Sequence, residues 1–97
     1  APDSGLGLVE RAGTTGGDSG LQTAAIVAEL ARWSDRWGAR ITHAEADRVD
    51  VIFDTPPRPM DAFIDRLADV CIDCFNFGED PIRAALAQGE GLILWWD

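Results

Sequence analysis

The chain closes on Gly91-Leu92-Ile93-Leu94-Trp95-Trp96-Asp97, and the fold turns on how this stretch is read. An unbroken apolar run behind a glycine is the pattern of a β-strand buried on both faces, because a strand with one wet face alternates apolar and polar residues. Alternation puts Leu92, Leu94 and Trp96 on one side and Ile93 and Trp95 on the other. Residues 91–96 are therefore predicted to form an inner strand of a sheet, held between helices. Trp95 and Trp96 are read first as core; the alternative is that at least one of them, near the sheet's edge, is exposed, since tryptophan is a favoured interface anchor.

Working outward from the tail, Asp80 can cap a short helix opened by Pro81 and stopped at Gly89, over residues 81–88. Before it, Met60, Phe63, Ile64, Leu67, Val70, Cys71 and Cys74 fall within one arc of roughly 120° at about 100° per residue. That predicts an amphipathic helix over 59–75. The prolines of Asp54-Thr55-Pro56-Pro57-Arg58-Pro59 remove backbone donors and fix φ, so any strand ends there. Strands are expected over 40–44 and 49–54, with Glu45-Ala46-Asp47-Arg48 as the turn between them. In 21–37, Ile26, Leu30, Trp33 and Trp37 recur at helical spacing, and Gly38 supplies a left-handed stop. This assigns Trp33 and Trp37 to the core, and Gln22, Glu29, Arg32 and Arg36 to the solvent side.

Residues 1–20 hold six of the ten glycines and read as a linker-like segment, with a possible edge strand over 6–10 around Leu6, Leu8 and Val9. A phosphate cradle is disfavoured, because the chain has no lysine to reach a phosphate. No basic stretch leads into an apolar run, so no secretory signal is expected, and a start at Ala1 is expected of a processed or cut chain. At 97 residues the chain is expected to be one α+β domain. The predicted fold is a single compact unit with a small, mostly antiparallel sheet, two main helices and a short one.

Seventeen acids against eight arginines give a formal charge of −9. That field repels nucleic acid, which needs clustered cations, and attracts a basic protein partner. No stretch approaches the roughly 20 apolar residues that span a bilayer. On the wet side of the 59–75 helix, Asp61, Asp65, Asp69 and Asp73 recur every four residues, interrupted only by Arg66. Like charges at that spacing cost a few tenths of a kcal/mol each. The row is read as a solvated face or as a docking ridge for an Arg/Lys-rich partner. With Trp95 and Asp97, these four aspartates make up the predicted partner-binding residues. No metal site is predicted from the row, since a straight helix cannot wrap an ion needing six or more oxygens.

Cys71-Ile72-Asp73-Cys74 has the spacing of a redox or zinc motif. Placed three turns into a helix, on its apolar arc, the pair lacks the helix N-terminus that lowers a thiol pKa. Zinc wants four ligands, and His43 is the only histidine. The cysteines are therefore expected to be buried small hydrophobes with free thiols, which favours a reducing cytoplasm. No catalytic residues and no cofactor are predicted.

Trp33-Ser34-Asp35-Arg36-Trp37-Gly38-Ala39-Arg40, the Asp54-Thr55-Pro56-Pro57 break, the Cys74-Phe75-Asn76-Phe77-Gly78-Glu79-Asp80 segment and the terminal Leu94-Trp95-Trp96-Asp97 together resemble the DUF4253 family. These domains are mostly bacterial and have no established activity. The resemblance spans residues 21–97 and implies a compact α+β domain. The function expected from the residues is a non-catalytic acidic protein-binding module, such as a toxin-neutralising immunity protein or a regulator. One alternative is a small enzyme in which His43, Asp54, Cys71 and Asp97 converge. The other is a structural accessory domain of a larger chain.

Overall fold

A computed structural model describes residues 4–96. Helix α1 runs Leu6–Ala12 and α2 runs Thr23–Trp37. Strands β1 (Ala39–Glu45) and β2 (Arg48–Phe53) follow, then α3 (Met60–Val70), a 3-10 helix Ile72–Phe77, α4 (Asp80–Ala87) and β3 (Leu92–Trp95). The three strands form one antiparallel sheet in the order β1-β2-β3. The fold is α+β, as the alternation of periods in the sequence implies.

Helix α2 ends where its glycine dictates. Gly38 takes φ 68, and its N–H bonds back to the Ser34 and Trp33 carbonyls, a left-handed closure that a side chain would strain. The strand pair forms around a tight turn at 46–47, with Glu45 opposite Arg48. Val49 and Val51 lie opposite Leu94 and Leu92, so one face of the sheet is apolar across both strands. The helices cover that face. Phe63 of α3 is the hub, meeting Trp33 at 4.8 Å, Trp37 at 5.2 Å and Phe53 at 5.3 Å between ring centres, all edge-on. Each such pair adds about 1 kcal/mol beyond area burial. The Trp37 indole N–H also donates to the Arg58 carbonyl at 2.9 Å, fastening the end of α2 to the proline loop.

Four expectations need correction. The tail is an edge strand and not an inner one: β2 occupies the middle, and only one face of β3 is covered. Leu92, Leu94 and Trp96 are buried, while Ile93 is 50% exposed. The run is unbroken because its outward side chains are apolar too, and periodicity cannot distinguish an apolar side chain that is covered from one that is not. Residues 6–10 form part of a helix and not an edge strand. Gly5 and Gly13 flank it with φ 81 and 65, and Val9 is fully buried. Gly5 is required by close approach, since a Cβ there would overlap the Ile41 carbonyl. Helix α3 stops at Val70 and does not reach 75: Cys71 turns extended (φ −146, ψ 75) and a 3-10 helix takes over. A three-residue repeat keeps Cys71 and Cys74 on one side, which in sequence mimics a continued α-helical arc. Finally, Glu29 is buried and does not lie on the solvent side.

Both free edges of the sheet are covered. Beside β1, the Ile41 N–H donates to the Ser4 carbonyl at 2.7 Å, Thr14 donates its hydroxyl to the Glu45 carbonyl, and the Thr15 N–H donates to the Ala46 carbonyl at 3.1 Å. Beside β3, the Trp96 N–H reaches back to the Asp47 carbonyl on the β2 side. Residues 93 and 95 therefore point their backbone groups away from β2. Thiols meet them there.

Candidate functional site

The predicted partner-binding residues do not share one surface. Asp61, Asp65 and Asp69 stand on the outer side of α3, away from Phe63, Ile64 and Leu67. Asp61 accepts from Arg83 at 2.7 Å and Asp69 from Arg66 at 3.5 Å, so arginines of the same chain relieve part of the repulsion along the row. Exposed pairs of this kind contribute little stability. Asp73 has left the helix and belongs to the 3-10 segment. Trp95 points the other way, onto the sheet face that the helices leave uncovered. Asp97 lies outside the described residues.

That uncovered face carries a feature that alternation foreshadows but cannot site. Ile52, Ile93 and Trp95 all project from it, Ile93 half exposed and the other two half-buried. Gly91 lies opposite Ile52 at a dent of about 260 Å³ bordered by Thr42, Asp50, Ile52 and Ile93, and a Cβ at Gly91 would press on the Val51 carbonyl. Asp50 is held in place by a two-toothed pair with Arg48, at 2.8 and 3.1 Å. The dent is thus apolar-walled with one oriented carboxylate.

Between α2 and α3 lies a second feature, which the sequence reading missed. Glu29 is 3% exposed. Its oxygens accept from the Trp33 indole N–H at 2.8 Å, from Arg32 at 3.0 Å, and from two nitrogens of Arg66 across the helix seam. Burial pushes its carboxyl pKa up; the hydrogen bonds from Arg66 and Trp33 and the charges of Arg66 and Arg32 outweigh that, and the carboxyl is held below its ordinary value of 4.5. A cleft of about 340 Å³ opens above it, edged by Arg32, Arg36 and Arg66, with Arg36 lying 4.7 Å over the Trp37 ring. With its lone pairs already engaged, Glu29 locks the seam and leaves nothing with which to move a proton. One signal was available: Glu29 precedes Trp33 by one helical turn, on the border of the apolar arc.

Cys71 and Cys74 form the third cluster. Both thiols are free and buried. The Cys71 thiol donates to the Trp95 carbonyl at 3.1 Å and the Cys74 thiol to the Ile93 carbonyl at 3.7 Å, so the cysteines cap the free edge of β3. A hydrogen bond from the Cys74 thiol, assisted by backbone hydrogen bonds from Trp95 and Cys74, holds the Cys71 pKa below the usual thiol value. The same bond to Cys71, then burial, pushes Cys74 up.

Of the residues weighed for an enzyme, His43, Asp54 and Cys71 stand apart, and Asp97 lies outside the described residues. His43, on β1, is exposed and 2.9 Å from Glu45, and Asp54 pairs with Arg40 at 3.0 Å beyond the end of β2. Cys71 sits beside β3, with the width of the sheet between it and His43. Among the described residues no group of three or more His, Cys, Asp or Glu is placed to hold a metal ion, and no helix is long and apolar enough to cross a membrane.

The chain belongs to the family described as Domain of unknown function (DUF4253), whose model matches residues 3–97. The match takes in the N-terminal segment as well as the 21–97 region that carries the motifs. No curated protein and no solved structure matches the chain.

Proposed function

We propose that this member of the DUF4253 family is a non-catalytic protein-binding module, and that its docking surface is the uncovered face of the sheet. One observation carries the reading: Ile93 stands half exposed beside the dent at Gly91, with Ile52 on its far wall and the half-buried Trp95 on the same face. Apolar side chains on an open sheet face lose water only when something covers them, and tryptophan at such a place is a common anchor.

The partner in this reading is a basic protein. The strands and the loops at their ends carry Glu45, Asp47, Asp50, Asp54 and Glu90 against Arg40, Arg48 and Arg58, and the whole chain carries −9. A second copy would bring −9 against −9, which disfavours self-association. The Asp61, Asp65 and Asp69 row, on the far side, adds to the attracting field without touching the partner. Regulation, including toxin neutralisation, is the class of role such a surface serves. We place the encounter in the cytoplasm, where free thiols persist.

The test is capture from cells with three baits: the native chain, Ile93→Asp, and a variant with Asp61, Asp65, Asp69 and Asp73 changed to Asn. A basic protein held by the native bait, lost with Ile93→Asp, and held by the Asn variant with weaker salt dependence supports the reading. Equal capture by native and Ile93→Asp baits overturns it. Binding of the purified partner, followed by amide chemical shifts in β3, then locates the contact.

A further inference from the structure

We propose that Cys71 and Cys74 form a reversible dithiol–disulfide site, oxidised by a small hydroperoxide, which couples redox state to the covering of the β3 edge. This inference stands whether or not the open sheet face docks a partner.

Geometry carries it. Cys71 closes α3 and opens the 3-10 helix, and the Cys74 N–H bonds to the Cys71 carbonyl at 3.2 Å across a single turn. A turn of that kind holds its end Cα atoms within about 7 Å, the reach of a disulfide. The two thiols sit side by side on the β3 edge, on the Trp95 and Ile93 carbonyls, and the chain has no third cysteine to compete. The pair is also unequal. The Cys71 pKa is held below the usual thiol value and the Cys74 pKa is pushed above it. One ready nucleophile beside one resolving thiol is the arrangement that stops oxidation at the disulfide.

The chemistry balances. The Cys71 thiolate attacks one oxygen of the hydroperoxide; an S–O bond forms, the O–O bond breaks, and the leaving oxygen takes a proton to become water or an alcohol. The Cys74 sulfur then displaces the hydroxyl from the Cys71 sulfenic acid, and its own proton leaves with that hydroxyl as water. Two thiols lose two electrons and the peroxide gains them.

Access comes through the covering segment. Cys71 is fully buried and Cys74 is 8% exposed, but the 3-10 helix over them turns Ile72 and Phe77 mainly to solvent, 63% and 82% exposed. With two of its four apolar side chains in solvent, this six-residue segment opens locally at lower cost than the core elements. Oxidation also has a structural readout. Both S–H donors vanish, so the Ile93 and Trp95 carbonyls lose their caps and the β3 edge loosens.

The experiment treats folded protein with hydrogen peroxide and reads the intact mass. The expected result is loss of two hydrogen atoms with no added oxygen, reversed by dithiothreitol, together with faster amide exchange across 92–96 in the oxidised form. Cys71→Ser should abolish the mass loss. Cys74→Ser should instead stop at an added oxygen on Cys71, trapped by dimedone. Oxidation only in urea-unfolded chain, oxygen addition to the native protein, or unchanged exchange across β3 after disulfide formation overturns the proposal.

Discussion

Along β1 the free edge of the sheet is covered by oxygen and nitrogen: the Ser4 carbonyl takes the Ile41 N–H, and Thr14 and Thr15 close over the turn at Glu45 and Ala46. Along β3 the cover is sulfur, with the Cys71 and Cys74 thiols on the Trp95 and Ile93 carbonyls. An open strand edge invites unwanted pairing, so both must be blocked. The thiols are the weaker donors and the only ones that an oxidant can remove. What holds β3 is then its ladder to β2 together with side-chain burial, and the difference between the edges becomes a set of measurements.

The largest effect is expected at Trp96, 3% exposed and donating its indole N–H to the Val70 carbonyl at 2.9 Å. Trp96→Ala should cost about 4 kcal/mol in urea unfolding; a cost under about 1 kcal/mol would show that β3 is held by its backbone. Next comes the helix seam behind both edges. Glu29→Ala leaves the Trp33 indole and Arg66 without their acceptor and should cost about 3 kcal/mol. Because the folded carboxyl sits below its ordinary 4.5, its contribution is present above that pH and is lost as pH falls through the folded value. Glu29→Gln should therefore flatten the acid limb of the stability curve. An unchanged limb would mean that other carboxylates set it.

Smaller effects probe the β1 edge. Gly5→Ala forces a side chain into φ 81 against the Ile41 carbonyl and should cost about 2 kcal/mol. Thr14→Val keeps the shape, strands the Glu45 carbonyl and should cost about 1 kcal/mol. Both variants should leave peroxide reactivity at Cys71 and Cys74 unchanged. A β1 variant that altered that reactivity would mean that the two edges are coupled through β2.

Much of this architecture was legible in the residues because it is local. Ile26, Leu30, Trp33 and Trp37 mark α2, Gly38 its end, the prolines the close of β2, and the 45–48 turn the hairpin. Each signal is a φ preference or a spacing along one element. The candidate site was legible only in part. Trp95 was singled out, but Ile93 and the dent at Gly91 depend on which face of β3 stays bare. The aspartate row was found as a row, yet its distance from Trp95 depends on α3 packing on the opposite side of the sheet. Glu29 was misplaced because a position bordering an apolar arc suits a solvated carboxylate and a buried one equally well, until Arg66 arrives from α3.

From its sequence alone, this protein was bound to be an acidic α+β domain with an apolar tail in its sheet, since charge, hydrophobic period and turn chemistry are properties of neighbours along the chain. Only the tertiary structure decided that the tail lies at an edge, that Glu29 is sealed between arginines, and that two thiols face the carbonyls of β3. Those outcomes rest on contacts 19 to 37 residues apart, and burial and hydrogen-bond partners at that range are set by packing, which no periodicity encodes.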